Sequence, residues 1–380
     1  MTHVKDQRPR AAEFFAGIGL VGLALERSGF QISFANDVDP VKRQLFSRNF
    51  PHSVYELRDV RTVRGEDVPD VELATASFPC TDLSLAGNRA GLTGRESGMF
   101  WEFARVVEEM GERRPTVVML ENVVGFATSH GGRDLRAALL ELGALGYVCD
   151  LLVLDARWYV PQSRPRLFIV GAIGDVMEHG DWRPSSLRPE WISRFVAANP
   201  DLDLRPAALP EPPRTAARLS AIVEQLPSDD PAWWGLPRRD AFLDSLSPLQ
   251  RKRLEGLRQA RQLGWRTAYR RTRHGTAVWE IRADDVAGCL RTARGGSSKQ
   301  ALVEAGVGEA RVRWLTPREY ARLQGAPDFR LGDANPNQAY FAFGDAVCVP
   351  AVAWLAEHYL RPLVERQISR RDSIAAHVAV

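Results

Sequence analysis

The chain has 380 residues, a hydrophobic fraction of 45% and a formal net charge of +3. These values predict a globular protein with one large and one smaller domain, and the charge alone is too small to indicate a nucleic-acid-binding protein. The four cysteines are scattered without a CxxC pair, which argues against a disulfide scaffold or a structural zinc site and favours a cytoplasmic protein. Because the amino terminus is polar and no apolar stretch is recognised as membrane-spanning, we expect no membrane association.

The first part of the chain alternates between predicted strands and helices. An apolar run from Ala11 to Phe15 is followed by helical spacing from Leu20 to Ser28, a strand from Gln31 to Asn36 and a helix from Pro40 to Asn49. The alternation continues with strands near 71–77, 116–120, 149–154 and 167–170 and helices at 99–113 and 134–145. This pattern predicts an α/β fold with a doubly wound, parallel sheet.

From about Gly174 the sequence changes character. Prolines are frequent as far as Pro237, and a basic stretch follows from Arg251 to His274. Such proline density breaks regular alternation, so we expect a separate region here. Helical patterns resume at 317–323 and from 349 to about 359, and the tail 367–380 is expected to be loosely held.

Two signals in the first βαβ unit indicate a nucleotide site. The segment Phe15-Ala16-Gly17-Ile18-Gly19 joins the first strand to the first helix, where glycines let the backbone turn tightly and approach a ligand. Asp37 ends the second strand, where a carboxylate accepts hydrogen bonds from ribose hydroxyls, and Asp59 is a candidate acceptor for an adenine amino group. The alternative is a simple turn with two solvated aspartates. The third glycine of the dinucleotide fingerprint is missing, which favours an adenosyl cofactor that is not a dinucleotide.

A second candidate site follows two later strands. Cys80 comes after one predicted strand and Glu121-Asn122 after the next, so a thiol and a carboxyl group lie at the sheet edge where ligands of parallel sheets collect. Cys80 is a candidate nucleophile and Glu121 a candidate proton donor. The spacing of Arg164 and Arg166 predicts both guanidiniums on one face of an extended segment. The alternatives are a core cysteine, a solvated glutamate and two surface arginines.

Five motifs stand in a fixed order along the chain: FAGIG at 15–19, FPC at 78–80, ENV at 121–123, QSRPR at 162–166 and FGDAV at 343–347. With this series the chain resembles the cytosine-5 DNA methyltransferase family. The resemblance implies a Rossmann-like methyltransferase sheet, S-adenosylmethionine as methyl donor with S-adenosylhomocysteine as product, no metal, and a cytosine flipped out of the duplex. It also implies a catalytic domain at 1–173 and 330–380 and a smaller, inserted target-recognition domain with a hinge at 174–329.

The resemblance assigns roles to individual residues. Cys80 would attack C6 of the cytosine while Glu121 protonates or hydrogen-bonds N3, which makes C5 nucleophilic enough to take the methyl group. Arg164 and Arg166 would hold the cytosine O2 and the loop around it, and Asn122 would orient the base and the Pro79-Cys80 segment. Residues of the early and late motifs would bind the cofactor, namely Phe15, Gly17, Ile18, Gly19, Asp37, Val38, Asp59, Val60, Pro79, Phe100, Asp345 and Ala346.

Four positions depart from the usual pattern of the family. Leu20 stands where another glycine is common, Val38 where an aromatic residue often flanks the adenine, and Thr81 where glutamine usually follows the cysteine. Asp345 replaces the usual asparagine. Because a carboxylate there adds negative charge beside a cationic sulfonium, we expect Asp345 to tune cofactor affinity.

The middle region corresponds in position to the target-recognition region of the family, and its basic and aromatic residues suit phosphate contact and base readout. Candidates for DNA contact are Arg270, Arg271, Arg273 and His274, and a solvated basic face is the alternative. We expect double-stranded DNA as the partner of a monomeric enzyme, with companion proteins of a restriction-modification or other defence system. The alternatives are a tRNA cytosine-5 methyltransferase and a catalytically silent DNA-binding relative.

Overall fold

The computed structural model describes residues 8–79, 92, 98–174, 179–273, 275–292 and 299–378. Three residues discussed above, Cys80, Thr81 and His274, lie outside the described residues. The chain forms two compact units. The first comprises Met1–Leu154, Pro165–Pro212 and Ala351–Val380, and the second comprises Asp155–Arg164 and Pro213–Pro350.

A mixed sheet organises the first unit. Its strands, as far as the chain is described, are β1 (Arg10–Phe14), β2 (Gln31–Asp37), β3 (Tyr55–Leu57), β4 (Leu73–Ala76), β5 (Val117–Val123), β6 (Tyr147–Asp155) and β7 (Pro165–Ile173). They lie in the order β3-β2-β1-β4-β5-β7-β6. The pairs from β3 to β5 are parallel, as predicted. The expectation of an entirely parallel sheet is wrong at β7, which runs antiparallel to β5. The connection 156–164 is shorter than the roughly twelve residues that a parallel crossover requires, so the chain reverses after β6.

Helices alternate with these strands: α1 (Leu20–Arg27), α2 (Pro40–Asn49), α3 (Met99–Glu109), α4 (Arg133–Ala144) and α5 (Glu190–Ala198). The strand order matches the dinucleotide-binding order 3-2-1-4-5-6 with β7 inserted before β6. The strand order reverses direction between β1 and β4. Ligands of open α/β sheets bind at such a reversal, outside the carboxyl ends of the two strands. The FAGIG and FPC motifs follow β1 and β4, and both therefore begin at the reversal.

The central strands of this sheet are apolar and buried, as expected of a sheet with helices packed on both faces. All four residues of β4 are buried, as are the first six of β5. Aromatic rings fill the layer between β1 and α3, where Phe14 packs edge-on against Phe103 with ring centroids 5.2 Å apart. Near the end of β4, Phe78 packs against Phe100 and Phe126 at 5.8 and 5.6 Å. The backbone that leads to the FPC motif is therefore anchored in the core.

The limits of the two units differ from the predicted domain limits. Residues 179–212 belong to the first unit because they pack along β6, while 155–164 and 330–350 belong to the second unit. The Cys149 amide donates to the Asp203 carbonyl at 3.1 Å, and the Arg205 amide donates to the Cys149 carbonyl at 2.9 Å. Arg188 and Asp150 form a buried ion pair of 2.6 Å. The proline-rich segment thus begins as an irregular extension of the first unit, and the functional division into domains stays a prediction.

A small antiparallel sheet organises the second unit. Among the described residues it contains β8 (Gly264–Arg273), β9 (Thr276–Ile281), β10 (Gln300–Ala305) and β11 (Arg311–Trp314), in the order β11-β10-β8-β9. Helices α6 (Leu236–Asp244), α7 (Pro248–Gln259), α8 (Pro317–Leu323) and α9 (Pro336–Asp345) belong to the same unit. The basic stretch is therefore helical only through α7, and its arginines at 270–273 lie on a strand.

One buried ion pair joins β11 to α8. Arg313 and Glu319 are both fully buried, and the two guanidinium nitrogens lie 2.8 and 2.5 Å from the carboxylate oxygens. Thr316 caps α8, because its hydroxyl accepts from the Glu319 amide and the Glu319 carboxylate accepts from the Thr316 amide. Pro317 occupies the first helical turn, where its missing N–H costs nothing. The Thr316-Pro317 pair thus defines the start of α8.

The carboxyl terminus is more ordered than the sequence predicts. Helix α10 (Val349–Leu355) continues through one π-helical turn at Ala356–Leu360 into α11 (Arg361–Val378). The prediction of a loosely held tail is therefore wrong as far as Val378. Within the described residues, the helical stretch Pro336–Ser373 contains a window with the length and mean hydropathy (1.5) of a membrane-spanning helix. This window was not predicted from the sequence. That window is 72% buried inside the protein, as is typical of a core helix.

Candidate active site

The loop after β1 has the left-handed backbone that its glycines permit. Gly17 and Gly19 have φ of 57° and 80°. A Cβ on Gly19 would approach the rings of Phe50 and Phe46 to 2.6 and 2.7 Å, so this position is closed to larger residues. A Cβ on Gly17 would find only Lys42, at 3.8 Å. Among the described residues, a side chain at Gly17 would therefore meet only the Lys42 side chain, whereas one at Gly19 would clash with two aromatic rings.

Two polar side chains hold Gly17 on both sides. Asp37, at the end of β2, accepts a hydrogen bond from the Gly17 amide with Oδ2 at 2.9 Å. The hydroxyl of Tyr55, at the start of β3, donates to the Gly17 carbonyl at 3.2 Å. The Asp37 Oδ1 atom accepts from the Asp39 amide at 2.9 Å. The sequence pointed to Asp37 but not to Tyr55, which lies in a strand of only three residues with no motif around it.

A buried carboxyl group lies beneath the same loop. Glu13, on β1, accepts a hydrogen bond from the Gly22 amide in the first turn of α1, at 3.0 Å. The pKa of Glu13 is raised to about 8, chiefly by burial; the hydrogen bond from Gly22 lowers it, and the nearby Asp37 and Glu26 add to the rise. Glu13 was missed because it interrupts an otherwise apolar run. An acidic residue inside a buried strand is the signal that could have found it.

Asp59 lies in the first turn after β3, where Asn36 organises the backbone by donating to the carbonyls of Glu56 and Arg58 at 3.0 and 2.9 Å. The Asp59 carboxylate accepts from both Nε and Nη2 of Arg61, at 3.0 and 2.7 Å. Its carboxylate is thus already oriented by a bidentate pair. The sequence did not indicate this partner, although the Asp-x-Arg spacing is local.

The other predicted cofactor residues of this unit differ in accessibility. Val38 is 65% exposed, whereas Ile18, Val60 and Phe100 are buried. Phe15 and Pro79 are intermediate. The ring of Phe100 packs on Phe78 of the FPC motif, with ring centroids 5.8 Å apart.

Asn122 ties the end of β5 to the end of β4. Its Nδ2 atom donates to the Phe78 carbonyl at 3.1 Å, and its Oδ1 atom accepts from the Val123 amide at 2.8 Å. The Asn122 side chain is buried. Phe78 and Pro79 directly precede Cys80 in the chain, so Asn122 fixes the backbone that leads to the predicted nucleophile.

Glu121 and Arg166 form an ion pair at the end of β5. Arg166 Nε lies 2.9 Å from Glu121 Oε1, and the two side chains are 15% and 8% exposed. The antiparallel direction of β7 explains this pair. Arg166 is paired with Val123, two residues after Glu121 on the same face of β5, which makes Arg166 and Glu121 diagonal neighbours.

Arg164 contacts different groups from Arg166. It belongs to the second unit, where its guanidinium donates to the carbonyls of Leu290 and Ala346 at 2.8 and 2.6 Å and to that of Gly344 at 3.2 Å. The Arg164 side chain is 2% exposed. The expectation that both guanidiniums act on one face does not hold, because Arg164 precedes β7 and the strand alternation does not extend to it.

The late motif belongs to the second unit. Asp345 ends α9 and accepts a hydrogen bond from the Thr292 hydroxyl at 2.5 Å. The Ala346 carbonyl accepts from Arg164 and from the Gln324 side chain, the latter at 2.9 Å. The turn at 344–346 is therefore held by side chains that reach its carbonyls.

The predicted DNA-contacting arginines are not equivalent. Arg271 Nε and Arg273 Nη2 pair with the Glu280 carboxylate at 3.0 and 2.7 Å. Arg270 is exposed, lies across from Trp279 in the register of β8 and β9, and has no ion pair among the described residues. Arg270 is thus the member of this set whose charge is uncompensated.

The comparisons with known proteins agree with one another. A sequence model of the family described as C-5 cytosine-specific DNA methylase matches residues 10–361. The type II methyltransferase M.Bsp6I of Bacillus sp. (strain RFL6) is 27% identical over 360 residues, covering 93% of this chain and 99% of the relative. The type II methyltransferase M.HhaI of Haemophilus parahaemolyticus is 25% identical over 362 residues, covering 94% and 96%.

A solved structure supports the fold. The crystal structure of the S. pombe Dnmt2 methyltransferase superposes with a TM-score of 0.60 at 16% identity, covering 94% of this chain and 99% of that chain. At this identity the likeness concerns the fold alone. The family match, in contrast, spans most of the chain, and the chain therefore belongs to the C-5 cytosine-specific DNA methylase family, whose members are DNA cytosine-5 methyltransferases.

Proposed function

We propose that the protein transfers a methyl group from S-adenosylmethionine to C5 of a flipped-out cytosine in a specific duplex DNA sequence, through a covalent bond between Cys80 and C6. The observation that carries the proposal is that β1 and β4, which lead into the FAGIG loop and to Phe78-Pro79, are parallel neighbours at the reversal of the strand order. The Glu121–Arg166 pair lies one strand further, at the end of β5.

The residues of the first unit fit an adenosyl cofactor that carries a positive charge. Asp37 and Asp39 supply acidic side chains around the loop, whereas the buried Glu13 beneath it keeps its proton up to about pH 8. The Ser77 hydroxyl, at the end of β4, is buried with no hydrogen-bond partner among the described residues. The Ile18 amide likewise finds no partner in the described part of the chain. These groups are suited to a polar, cationic ligand, and S-adenosylmethionine would supply an electrophilic methyl group.

Each predicted cofactor residue then has a proposed task. Asp37 would accept from ribose hydroxyls, and Asp59 with the Val60 backbone would contact the adenine. The loop and its surroundings would form the remaining wall, through Phe15, Gly17, Ile18, Gly19, Val38, Pro79 and Phe100. Asp345 and Ala346, in the late motif, stay proposed cofactor residues.

In the proposed reaction the Cys80 sulfur forms a bond to C6, and the π electron pair of the C5=C6 double bond moves to C5, while the single bond between the two carbons stays. Glu121 donates a proton or hydrogen bond to N3, which withdraws electrons from the ring and makes the attack easier. C5 would then take the methyl group from the sulfonium, with S-adenosylhomocysteine as the leaving group. A base such as water removes the C5 proton, the C5=C6 double bond re-forms and expels the Cys80 sulfur from C6, and the proton on N3 returns to Glu121. Cys80 is thereby restored as a free thiolate.

Three further residues support this chemistry. Arg166 would orient the Glu121 carboxyl group through the 2.9 Å contact and approach the cytosine O2. Asn122 would hold the nucleophile's backbone through the Phe78 carbonyl. The contacts of Arg164 favour a positioning role, because its donors are engaged with three backbone carbonyls.

For DNA contact the structure favours Arg270 over its neighbours. An arginine whose charge is already paired gains less from a phosphate or a guanine than one that is exposed and uncompensated. Arg271 and Arg273 share Glu280, whereas Arg270 does not. Arg271, Arg273 and His274 stay proposed contacts, with Arg270 as the first to test.

The biological setting is also part of the proposal. The relatives reported above are named type II methyltransferases, which supports a role in a restriction-modification or other defence system. We infer a monomeric protein that acts on DNA in the cytoplasm and works beside a separate restriction or defence protein.

The experiment uses purified protein with labelled S-adenosylmethionine and either duplex DNA or tRNA. The proposal expects label in duplex DNA only, and Cys80→Ala should abolish transfer while S-adenosylhomocysteine binding stays measurable. Label in tRNA alone would show that the substrate is tRNA and would overturn the proposed DNA substrate. Unchanged turnover of Cys80→Ala would overturn the covalent mechanism. Methylation-sensitive sequencing of DNA from expressing cells would then identify the recognition sequence.

A further inference from the structure

Tyr55 is the residue near the FAGIG loop that the sequence did not indicate and that no motif contains. Its hydroxyl donates to the Gly17 carbonyl at 3.2 Å. Its ring packs against Phe46 with centroids 4.6 Å apart, which fixes the ring independently of the hydroxyl. The side chain is therefore held in place to present one donor to one loop carbonyl.

The loop needs such a donor because of the residue that it contacts. Glycine populates positive and negative φ about equally, so the peptide between Gly17 and Ile18 has little intrinsic preference for its orientation. In a trans peptide the carbonyl and the amide of one plane point in opposite directions. When Tyr55 holds the Gly17 carbonyl, the Ile18 amide of the same plane is directed away from Tyr55.

The amide that Tyr55 directs in this way is available for a ligand. Within the described residues the Ile18 amide has no hydrogen-bond partner, whereas the neighbouring Gly17 and Gly19 amides bond to Asp37 and to the Ala16 carbonyl. A loop amide that makes no hydrogen bond within the protein is a donor that a ligand acceptor can satisfy. The orientation of this one peptide thus determines whether the loop offers a donor or a carbonyl to the ligand.

We propose that Tyr55 is a positioning residue for cofactor binding, which fixes the Gly17–Ile18 peptide so that its amide faces the cofactor. The inference rests on the proposed use of S-adenosylmethionine. It assigns Tyr55 no contact with the reacting atoms, so its effect should fall on cofactor affinity and spare the chemical step.

The protonation state of Tyr55 is compatible with this task. Burial raises the pKa of its hydroxyl, and the carboxyl groups of Asp37, Glu13 and Asp39 raise it further, while Arg43 opposes them. The phenol therefore keeps its proton at neutral and moderately alkaline pH. It acts as a permanent donor in the range where a methyltransferase is assayed.

The test compares Tyr55→Phe with a matched control, Tyr147→Phe. The first change removes the hydroxyl and keeps the ring against Phe46. Tyr147 also donates from a buried hydroxyl to a carbonyl, that of Pro115 at 2.6 Å, but it does so at the opposite edge of the same sheet. Calorimetry with S-adenosylhomocysteine measures binding, and initial rates with duplex DNA give KM for S-adenosylmethionine and kcat.

The expected result is a rise of about fivefold in Kd and in KM for the cofactor with Tyr55→Phe, the effect of one net hydrogen bond, while kcat changes less than about twofold. Tyr147→Phe should bind as the unaltered protein does. Equal affinity of Tyr55→Phe and the unaltered protein would overturn the inference, as would an equal loss in both variants. If the unaltered protein failed to bind S-adenosylhomocysteine, the proposed function itself would fall.

Discussion

Replacing Glu13 by glutamine should change how the stability of the protein depends on pH. In the folded protein burial raises the pKa of Glu13 to about 8, from an ordinary value of 4.5. Between these two values the folded protein holds a proton on Glu13 that the unfolded chain has lost. Unfolding therefore releases a proton in this range, and the free energy of unfolding falls as the pH rises.

The magnitude follows from the width of that range. A group contributes at most about 1.4 kcal/mol per pH unit, so Glu13 should remove on the order of 4 kcal/mol of stability between pH 5 and pH 8. The contribution that the bound proton of Glu13 makes to the free energy of unfolding is fully present below pH 4.5, the ordinary carboxyl pKa. It is lost by the time the pH passes about 8. Glu13→Gln keeps an acceptor for the Gly22 amide but cannot ionise. We therefore expect the variant to lose this part of the pH dependence and to be the more stable protein above pH 8.

Urea unfolding followed by tryptophan fluorescence, repeated from pH 5 to pH 9, measures the effect. Glu72→Gln is the matched control, because Glu72 also accepts a backbone amide, that of Arg10 at 2.6 Å, but its side chain is 19% exposed. Because this control leaves Glu13 in place, it should not gain the higher stability above pH 8 that is expected of Glu13→Gln. A stability profile of Glu13→Gln parallel to that of the unaltered protein would refute the reasoning.

Three further outcomes are expected. Glu121→Gln should lower the single-turnover rate of methyl transfer by about 10²- to 10⁴-fold with DNA binding retained, and a near-normal rate would remove its role as proton donor. Arg270→Ala should weaken duplex DNA binding, measured over a series of salt concentrations, more than Arg271→Ala does, because Arg271 is already ion-paired; equal losses would contradict this ranking. Arg313→Met should reduce the free energy of unfolding by about 3–5 kcal/mol, because it leaves the Glu319 carboxylate buried without its partner, and an unchanged urea midpoint would show that Glu319 is not left charged.

The alternation of apolar runs and helical spacing was sufficient to predict the parallel part of the sheet and the helices between its strands. Both depend on patterns that are local in sequence. The direction of β7 could not be predicted from its composition, because a buried strand reads the same in a parallel and an antiparallel position. That direction is what places Arg166 diagonally opposite Glu121.

Within the candidate site, sequence spacing identified residues but not their partners. Arg164 and Arg166 are two positions apart, yet one binds backbone carbonyls and the other binds a carboxylate. Tyr55 and Glu13 were missed for different reasons. Tyr55 acts through a backbone carbonyl 38 positions away, a contact that no local pattern records. Glu13 carried a local signal, an acidic residue inside a buried strand, which the apolar pattern around it concealed.

The carboxyl-terminal helix has a consequence for how the protein is made. The first unit is assembled from three separate stretches of chain, the last of which begins at Ala351. The Tyr359 hydroxyl donates to Asp150 on β6 at 3.3 Å, and Leu360, Leu363 and Val364 are buried. A ribosome must therefore finish nearly the whole chain before the sheet's outer strand gains its last buried partner, so that a nascent chain lacking this helix exposes apolar surface during synthesis.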